Sequence, residues 1–473
     1  MNMKRATSSP EILIRLMSNS DASLRLQVEG GLRQAIHTGR LAAGTLLPAT
    51  RVLAADLGIS RGVVIEAYEQ LLAEGYLTAR RGSATRVARR CIEGVTNPDV
   101  EPVPATLYRH DFRPGVPDPS LFPRRSWLIS MRRAVDAAPY SAFDYPDARG
   151  IESTRAELAA YLNRARATVT RPDRITICTG FAQGIRLICR ALSERGVRSI
   201  AVEDPGHIDQ CAYIDAEDLK KVRIPVDHDG LRTDLLARTH VGAVLVTPAH
   251  QYPTGAVLAP HRRAALLDWS SRRGGYIIED DYDAEYRYDR EPIGSMQGLA
   301  PDRVVYMGTA SKMLSPALRL AWVALPADLV SGVRRAKLET DRGSPVLDQL
   351  ALTDFLNRGE LDRHLRKTRL IYRTRRDELM DALRTHLPHV RVQGVAAGLH
   401  VMVELGRHAD ERRIVQAAAN RSIRICGASI YRAEPNAEPP ALVLGYGALQ
   451  AGAVDEAVRM LARVLREHRP RRS

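Results

Sequence analysis

The sequence contains few aromatic and sulfur-containing side chains for its length. Aromatic residues make up 5% of the 473 residues, and there are five cysteines. No CxxC pair occurs among the cysteines, which are Cys91, Cys178, Cys189, Cys211 and Cys426. Their odd number and wide spacing argue against both a disulfide framework and a zinc site. We therefore expect reduced thiols in a cytoplasmic protein and no bound metal.

Long hydrophobic runs are also missing. No stretch approaches the roughly 18 uncharged apolar residues that a transmembrane helix needs. The segment Met1–Pro10 lacks the apolar stretch and small-residue cleavage site of a secretory signal. The sequence thus predicts neither a membrane span nor secretion. Hydrophobic residues at 45% and charged residues at 26% are typical of a globular protein. The length exceeds one ordinary domain, so two or three are expected.

Lysine is scarce although the chain is basic. Arg and Lys number 69 against 55 Asp and Glu, which gives a net charge of +14. Only six of the basic residues are lysine, namely Lys4, Lys220, Lys221, Lys312, Lys337 and Lys367. A lysine in an apolar setting is therefore conspicuous. Basic residues also outnumber acidic ones within residues 1–90, which suits a polyanionic partner such as nucleic acid without demonstrating one.

The pattern of helical and strand-like segments divides the chain into four parts. Residues 1–87 are helix-rich, and residues 88–110, with several prolines and no hydrophobic period, are typical of a linker. From 111 to 340, β-rich runs alternate with helical patterns, which predicts an α/β domain with a mostly parallel sheet and helices on both faces. Residues 341–473 predict a separate α+β lobe. The runs predicted as strands of the large domain include Ser199–Glu203, Gly242–Thr247, Gly275–Glu279, Val304–Met307 and Leu320–Leu325.

Three helices and a hairpin are predicted in the first part. Leu24–His37 has one apolar face, and Thr50–Leu57 ends at Gly58. Ser60 is placed to cap a third helix, Arg61–Glu74, with its hydroxyl. A short helix, a glycine turn and a capped helix form a helix-turn-helix, whose second helix enters the major groove of DNA with its N-terminus first.

The leading end of that second helix contains candidate DNA contacts. Arg61 can reach a guanine edge or a phosphate, Ser60 can bond a phosphate, and Gly62 lets the backbone approach closely. The following segment, Tyr76–Val87, predicts a two-stranded wing. Its tip is Arg81–Gly82, which we include among the candidate DNA contacts. The alternative is a small helical packing domain with solvated arginines.

Residues 47–87, LPATRVLAADLGISRGVVIEAYEQLLAEGYLTARRGSATRV, resemble the winged helix of GntR-type regulators. The resemblance extends over about 65 residues and implies that this part binds double-stranded DNA. The family contacts that it implies fall on Arg51, Ser60, Arg61, Gly62 and Gly82.

Two motifs of the large domain suit opposite ends of a phosphorylated pyridine. Within Cys178–Gln183, a strand turns into a helix at Thr179–Gly180, and free N–H groups at a helix N-terminus suit a phosphate dianion. Tyr276–Tyr282 is a strand that ends in acids at the carboxyl edge of the sheet, where ligands bind. A carboxylate facing a pyridine nitrogen keeps it protonated and keeps the ring an electron sink. An exposed acidic strand end would show the same pattern.

A third motif, Tyr306–Lys312, places one of the six lysines just after a strand and beside hydroxyls. A lysine in a partly apolar cleft has a lowered amine pKa and can form a Schiff base. Arg319, seven residues further on, offers a guanidinium that matches phosphate oxygens. The fourth motif, Thr247–Gly255, is a strand-end turn of the kind that shapes a pocket floor. Together the four motifs describe a pocket for pyridoxal 5′-phosphate (PLP).

In this order the motifs resemble those of fold-type I aminotransferases. With the winged helix in front, the chain from about residue 20 to 465 resembles the MocR/GabR-type subfamily of GntR regulators. The resemblance implies that Lys312 is the Schiff-base lysine, that Asp280 is the partner of the pyridine nitrogen, and that Tyr282 bonds the ring hydroxyl. It assigns the phosphate to the backbone at Phe181 and Ala182 and to Thr309, Ser311 and Arg319.

The same resemblance implies a ring-stacking residue and a homodimer. His207 takes the place of the aromatic residue that stacks on the pyridine ring. Tyr145 matches the tyrosine that aminotransferases send across the dimer interface to the phosphate of the partner. No catalytic residue beyond the Schiff-base lysine is implied.

Three positions depart from the family pattern. Tyr252 replaces the asparagine that aminotransferases have before Pro-Thr-Gly. Asp209 and Val443 stand where arginines bind a substrate carboxylate, the first in GABA-sensing regulators and the second in those regulators and in aminotransferases. Asp209 would repel a carboxylate and could accept an amine. These changes argue against GABA and against ordinary transamination, and they leave an amine or PLP itself as the expected effector, as in the branch that regulates PLP synthesis.

Three hypotheses for the whole chain remain at this point. The first is a PLP-dependent transcription regulator that senses a small molecule and does not turn over amino acids. The second is an aminotransferase with an accessory N-terminal DNA-binding domain, and Val443 argues against it. The third is a DNA-binding protein whose large domain is a dimerisation scaffold without cofactor. The presence of Lys312, Asp280, Tyr282 and Arg319 argues against this third hypothesis.

Overall fold

The computed structural model describes residues 16–17, 22–79, 84–88, 108–288, 293–434, 439–450 and 452–468. The chain divides into two compact units, Met1–Ala105 and Thr106–Ser473. This division falls inside the segment that the sequence predicts as a linker. No helix in the described residues is both long and apolar enough to cross a membrane.

The helices of the described residues are α1 (Leu24–His37), α2 (Thr50–Leu57), α3 (Arg61–Ala73), α4 (Arg124–Ala137), α5 (Glu152–Arg166), α6 (Phe181–Glu194), α7 (Ile208–Asp215), α8 (Thr233–Leu236), α9 (Pro260–Arg273), α10 (Ala310–Met313), α11 (Val330–Thr340), α12 (Val346–Asn357), α13 (Glu360–His386), α14 (Glu411–Ala419) and α15 (Val454–Glu467). The strands are β1 (Leu77–Thr78), β2 (Arg86–Val87), β3 (His110–Asp111), β4 (Ile175–Cys178), β5 (Ser199–Asp204), β6 (Lys220–Asp227), β7 (Gly230–Leu231), β8 (Ala243–Val246), β9 (Tyr276–Asp281), β10 (Val304–Thr309), β11 (Ala321–Ala324), β12 (Arg391–Gln393), β13 (His400–Glu404), β14 (Ile423–Arg424), β15 (Cys426–Gly427) and β16 (Ala441–Gly445).

The first unit is a three-helix core followed by a hairpin. Leu32 of α1, Leu53 of α2 and Val64 of α3 are buried in one hydrophobic cluster. The strands β1 and β2 pair in antiparallel fashion, with Leu77 opposite Val87. The predicted bounds of the three helices are confirmed to within one residue, because apolar periodicity and capping residues agree at their ends.

The second unit is built on a large sheet with the strand order β4-β11-β10-β9-β8-β5-β6-β7. Neighbouring strands from β10 through β9, β8 and β5 to β6 are parallel. The strand β11, from the predicted run Leu320–Leu325, is antiparallel to both of its neighbours. The prediction of a mostly parallel α/β sheet is therefore confirmed.

Both faces of this sheet are covered. Every residue of β8, β9, β10 and β11 is buried, as expected for strands packed on two sides. In β11, Trp322 belongs to one hydrophobic cluster and Val323 to another. This alternation follows from the two-residue period of a strand. It matters for function because adjacent residues of one strand face different surroundings.

The C-terminal part forms a smaller antiparallel sheet in the order β12-β13-β16-β15. The helices α14 and α15 contact each other beside it. A short parallel pair joins β3 to β14, with His110 opposite Ile423. His110 therefore belongs to the second unit, although it was expected to end the linker. The domain boundaries after residues 87, 110 and 340 otherwise stay predictions.

Candidate functional site

A cavity of about 250 Å³ lies in the second unit beside the ends of β9 and β10. We call it the strand-edge cavity. It forms there because the parallel strands end at one edge of the sheet, where loops and helix N-termini leave an open crevice. Its lining residues are Pro114, Gly115, Phe181, Ala182, His207, Asp209, Gln210, Tyr213, Tyr252, Asp280, Tyr282, Thr309, Ser311, Lys312 and Arg319.

Lys312 enters the cavity from α10, the short helix that follows β10. The Thr309 side chain accepts a hydrogen bond from the backbone N–H of Ser311 at 3.1 Å, which fixes the start of this helix. Burial lowers the pKa of the Lys312 amine, while the charges of Asp283 and Asp280 oppose that effect. An amine with a lowered pKa is more often neutral and therefore more nucleophilic than an exposed one.

Asp280 faces the same cavity from β9. Its side chain accepts a hydrogen bond from the Gln210 amide at 2.9 Å, and no ion pair reaches it within the described residues. Burial raises the pKa of Asp280 well above its ordinary value, and the charge of Asp281 adds to this. A cation brought into the cavity would relieve this cost, because an opposite charge stabilises a buried carboxylate.

The opposite end of the cavity has the features of an anion site. Gly180, at φ +97°, precedes the first residue of α6, so free N–H groups of the helix face the cavity. The positive φ favours glycine here, and a Cβ would displace the guanidinium of Arg319, one nitrogen of which would lie 2.6 Å from it. Arg319 donates to the carbonyl of Thr179 at 2.6 Å, which holds the guanidinium beside the helix end. The Thr309 hydroxyl donates to that of Ser311 at 2.9 Å. Backbone, guanidinium and hydroxyl donors thus converge, as phosphate binding requires.

Tyr282 is held by buried polar groups to which the sequence analysis assigned no role. Its hydroxyl donates to the backbone carbonyl of His250 at 3.0 Å and lies 3.1 Å from Nδ1 of the same histidine. A carboxylate oxygen of Asp283 lies 3.0 Å from that Nδ1. The His250 ring packs on His400, with 4.9 Å between ring centroids. The Thr247–Gly255 turn was predicted only as a pocket floor, and the partners of His250 come from distant elements.

One wall of the cavity is aromatic. The rings of His207 and Tyr252 lie 5.0 Å apart at 35°. Nδ1 of His207 accepts a hydrogen bond from the backbone N–H of Asp209 at 3.3 Å. Burial lowers the pKa of His207, which favours the neutral ring. The Tyr252 hydroxyl donates to that of Tyr431 at 3.0 Å, which fixes the wall.

The first unit has its own candidate surface. The Ser60 hydroxyl caps α3 by accepting from the N–H of Val63, and Gly58 at φ +65° makes the turn before it. Arg61 and Gly62 are exposed at the start of α3. Nε of Arg61 donates to the Thr50 hydroxyl at 3.3 Å. A Cβ on Gly62 would meet only the Ser60 hydroxyl, at 3.9 Å, so packing within the chain does not require this glycine.

Comparison with known proteins agrees with this two-part organisation. Residues 24–87 match the family model "Bacterial regulatory proteins, gntR family", and residues 124–457 match "Aminotransferase class I and II". The probable rhizopine catabolism regulatory protein MocR of Rhizobium meliloti is 30% identical over 95% of this chain and 95% of its own. The HTH-type pyridoxine biosynthesis transcriptional regulator PdxR of Corynebacterium glutamicum is 30% identical over 92% of this chain and 95% of its own.

The chain belongs to the MocR-type subfamily of GntR transcription regulators. It is a DNA-binding regulator in which a winged helix precedes an aminotransferase-like domain. The second unit is similar to the multiple substrate aminotransferase of Thermococcus profundus, with a TM-score of 0.71, 24% identity, and coverage of 77% of this chain and 93% of that one. It is also similar to an archaeal alanine:glyoxylate aminotransferase, with a TM-score of 0.70, 25% identity, and coverage of 76% and 91%. The predicted family and fold class are confirmed.

Most of the residues predicted to bind the cofactor line the strand-edge cavity of this MocR-type regulator. Those that do so are Lys312, Asp280, Tyr282, Phe181, Ala182, His207, Thr309, Ser311 and Arg319. Tyr145 does not line it. Its side chain is 82% exposed, and the Arg342 guanidinium lies 5.4 Å from its ring centroid.

Of the two positions predicted for effector recognition, one lines the cavity of the regulator and the other does not. Asp209 lines the cavity and is largely exposed. Val443 does not line it, because it lies in β16 opposite Met402 and is fully buried in a cluster with Tyr252 and Tyr431. The predicted DNA contact Arg51 is exposed on α2, whereas Arg81 and Gly82 lie outside the described residues.

Gln210, Tyr213, Pro114 and Gly115 line the cavity of the regulator without having been predicted. Gln210 and Tyr213 lie on α7, which follows His207. They could have been predicted from the sequence because this helix begins directly after a predicted stacking residue. Gly115, where a Cβ would lie 3.6 Å from Nζ of Lys312, comes from the start of the second unit. No local pattern links that segment to the lysine.

Reductive methylation should detect the lowered pKa of Lys312. Since burial outweighs the nearby carboxylates, the neutral amine should persist to lower pH in the folded regulator than in the unfolded chain. We expect the half-maximal labelling of the Lys312 peptide below pH 10.5, the ordinary lysine value. Mass spectrometry after brief pulses across pH provides the measurement, and the same peptide in concentrated urea is the control. Identical profiles in both states would contradict the effect of burial.

Proposed function

We propose that this regulator binds PLP in the strand-edge cavity and uses the loaded domain to sense a small molecule that changes its affinity for DNA. The observation that supports the proposal is that a buried lysine, a carboxylate that forms no ion pair within the described residues, and the N-terminus of α6 line one cavity. When bound, PLP supplies an aldehyde that forms a Schiff base with a lysine and a ring that withdraws electrons.

Each residue of the cavity has a distinct role in this proposal. Lys312 provides the amine, Asp280 keeps the proton on the pyridine nitrogen, and Tyr282 forms a hydrogen bond with the ring hydroxyl. His207 provides the flat surface against which the ring lies. The phosphate is held by the backbone N–H groups of Phe181 and Ala182 and by the side chains of Thr309, Ser311 and Arg319.

The charges of the cavity favour an amine or PLP as the effector rather than an amino acid. Two lining residues carry a basic lysine or arginine side chain, Lys312 and Arg319, and the proposal assigns both to the cofactor. Asp209 adds a negative charge where a carboxylate clamp is expected, and Val443 offers no donor. One relative is named for pyridoxine biosynthesis, which also supports PLP or a related compound as effector.

We propose a regulator without efficient transamination for the same reason. Transamination of an amino acid needs a group that holds the substrate carboxylate near the reacting carbon. The second candidate function is an aminotransferase with an accessory DNA-binding domain. The fold of the second unit favours it, whereas the charges around Asp209 and the apolar Val443 count against it.

We also propose that the regulator acts in the cytoplasm as a homodimer. Tyr145 is exposed in a segment that also exposes Tyr140 and Phe143, and monomers rarely leave such side chains in water. In the proposed dimer, Tyr145 donates to the phosphate in the partner subunit. The DNA contacts of each subunit come from Arg51, Ser60, Arg61 and Gly62, with Arg81 and Gly82 at the wing.

Substitution of Lys312 should abolish covalent retention of PLP. After incubation with PLP and borohydride, the wild type should gain one stable adduct per chain, on the peptide containing Lys312. Lys312→Ala should gain none, and Lys220→Ala, which removes an exposed lysine, should behave like the wild type. Intact mass and peptide mapping provide the measurement. If Lys312→Ala were labelled to the same extent as the wild type, the assignment of Lys312 as the Schiff-base lysine would be wrong.

Arg61→Ala should weaken specific DNA binding by about 1–3 kcal/mol, the usual loss for one good base contact. The measurement is a titration of the operator, located by footprinting upstream of the regulator's own gene, at fixed salt. Arg40→Ala, which also removes an exposed positive charge from the first unit, is the matched control. Equal affinities of the two variants would remove Arg61 from the DNA surface.

GABA and glutamate should leave the absorbance of the PLP-loaded regulator unchanged at millimolar concentration. Each charge-assisted hydrogen bond to a carboxylate contributes about 1.5–3 kcal/mol of binding free energy, and the cavity lacks the arginines that would form these bonds. The variant Asp209→Arg, on the exposed rim of the cavity, should gain a response because it turns repulsion into attraction. A spectral shift of the wild type with GABA would contradict the prediction. A change in operator affinity with PLP alone would support PLP as the effector.

A further inference from the structure

A second concave site lies at the C-terminal end of α5, with a volume of about 500 Å³. We call it the arginine cleft. Four arginines line it, Arg164, Arg166, Arg366 and Arg369, together with the acids Glu285 and Asp362. None of these residues lines the strand-edge cavity, and the function proposed above makes no use of them.

Arg166 is the most constrained of the four. Its side chain is 2% exposed and forms a bidentate pair with Asp281, with nitrogen–oxygen distances of 2.7 and 3.0 Å. Its remaining terminal nitrogen, Nη1, is buried and has no hydrogen-bond partner in the part of the chain that the structure describes. A buried donor without a partner costs free energy, and a ligand that accepts from it removes this cost.

The other arginines add donors that the protein does not use. Nε of Arg369 donates to the backbone carbonyl of Glu285 at 3.0 Å, which positions the side chain and occupies one of its nitrogens. Arg366 is exposed one turn earlier on α13 and, in the described residues, makes no ion pair or hydrogen bond. Arg164, by contrast, is already paired with Asp362 at 2.9 Å.

The two acids of the cleft weaken this positive charge only in part. Asp362 is neutralised by Arg164. Burial and the charge of Asp281 raise the pKa of Glu285 to about 7. A raised pKa favours the neutral form of Glu285 and so weakens its opposition to an anion. The balance of charge in the cleft is positive.

We propose that the arginine cleft binds a small phosphate-type oxyanion, either inorganic phosphate or the phosphate group of an ester, through Arg166, Arg366 and Arg369. A tetrahedral oxyanion offers oxygens in several directions, which suits guanidinium groups that come from two helices. The concave shape of the site favours a small ligand over the convex and stiff surface of duplex DNA.

Isothermal titration of the PLP-loaded full chain, in which the strand-edge cavity is already occupied, with glycerol 3-phosphate and with inorganic phosphate tests the proposal. Arg366→Ala and Arg369→Ala should each weaken binding about tenfold or more, as expected for loss of a charge-assisted contact. Arg384→Ala, which removes an exposed arginine at the other end of the same helix, should change the affinity less than twofold. Glycerol, which has no charge, should not bind. Binding of the ester alone would identify an ester as the ligand.

Arg166→Ala is unsuitable as the main test because it leaves Asp281 buried without its partner and can prevent folding. Phosphate binding to the PLP-loaded chain that survives both Arg366→Ala and Arg369→Ala would overturn the proposal, since the ligand would then occupy a site other than the arginine cleft. The remaining alternative is that the arginines of the cleft contact DNA, and the affinity for duplex DNA at fixed salt tests it. It should be equal in Arg366→Ala and Arg384→Ala, and a selective loss in Arg366→Ala without phosphate binding would identify a DNA contact and overturn the proposal.

Discussion

Five carboxyl groups lie between Glu279 and Glu285, and all are buried. A carboxylate in the protein interior costs more free energy than a typical domain has as its net stability, so each one needs its own compensating group. Glu279 accepts hydrogen bonds from the backbone N–H groups at Met296 and Gln297. Asp281 has Arg166 as its partner. The loops and helices around β9 supply these groups, and their placement shapes both concave sites of the second unit.

The carboxylates differ in how fully neighbouring groups offset the cost of their burial, and this difference suits them to different roles. Asp281 is paired with a guanidinium and also accepts from the Tyr306 hydroxyl at 2.7 Å. Asp280 has only a neutral amide, from Gln210, and so retains affinity for a cation. Asp283 faces His250 and thereby supports the hydroxyl of Tyr282. A single strand and its following turn thus provide a structural anchor, a ligand-binding charge and a positioning group.

Much of the fold was predictable because its signals are local. The periodicity and caps of α1 to α3, and the apolar runs of β8 to β11, lie within short windows of sequence. The residues proposed to bind the cofactor were predicted from their resemblance to those of a family. The support of His250 and Gln210 for the site was missed, because burial is compensated by residues far apart in the chain. Val443 was matched by position, but only packing shows that it is buried away from the cavity.

The alternation of β9 has a consequence for how this protein can evolve. Asp280 and Asp281 are consecutive, yet one faces the strand-edge cavity and the other faces Arg166. Insertion or deletion of one residue in this strand would exchange the two environments, because a one-residue slip turns every side chain to the other face. The paired carboxylate would then lie in the cavity, and the unpaired one would face the guanidinium. Length changes in lineages of this protein are therefore expected in the loops on either side of β9 and not within the strand.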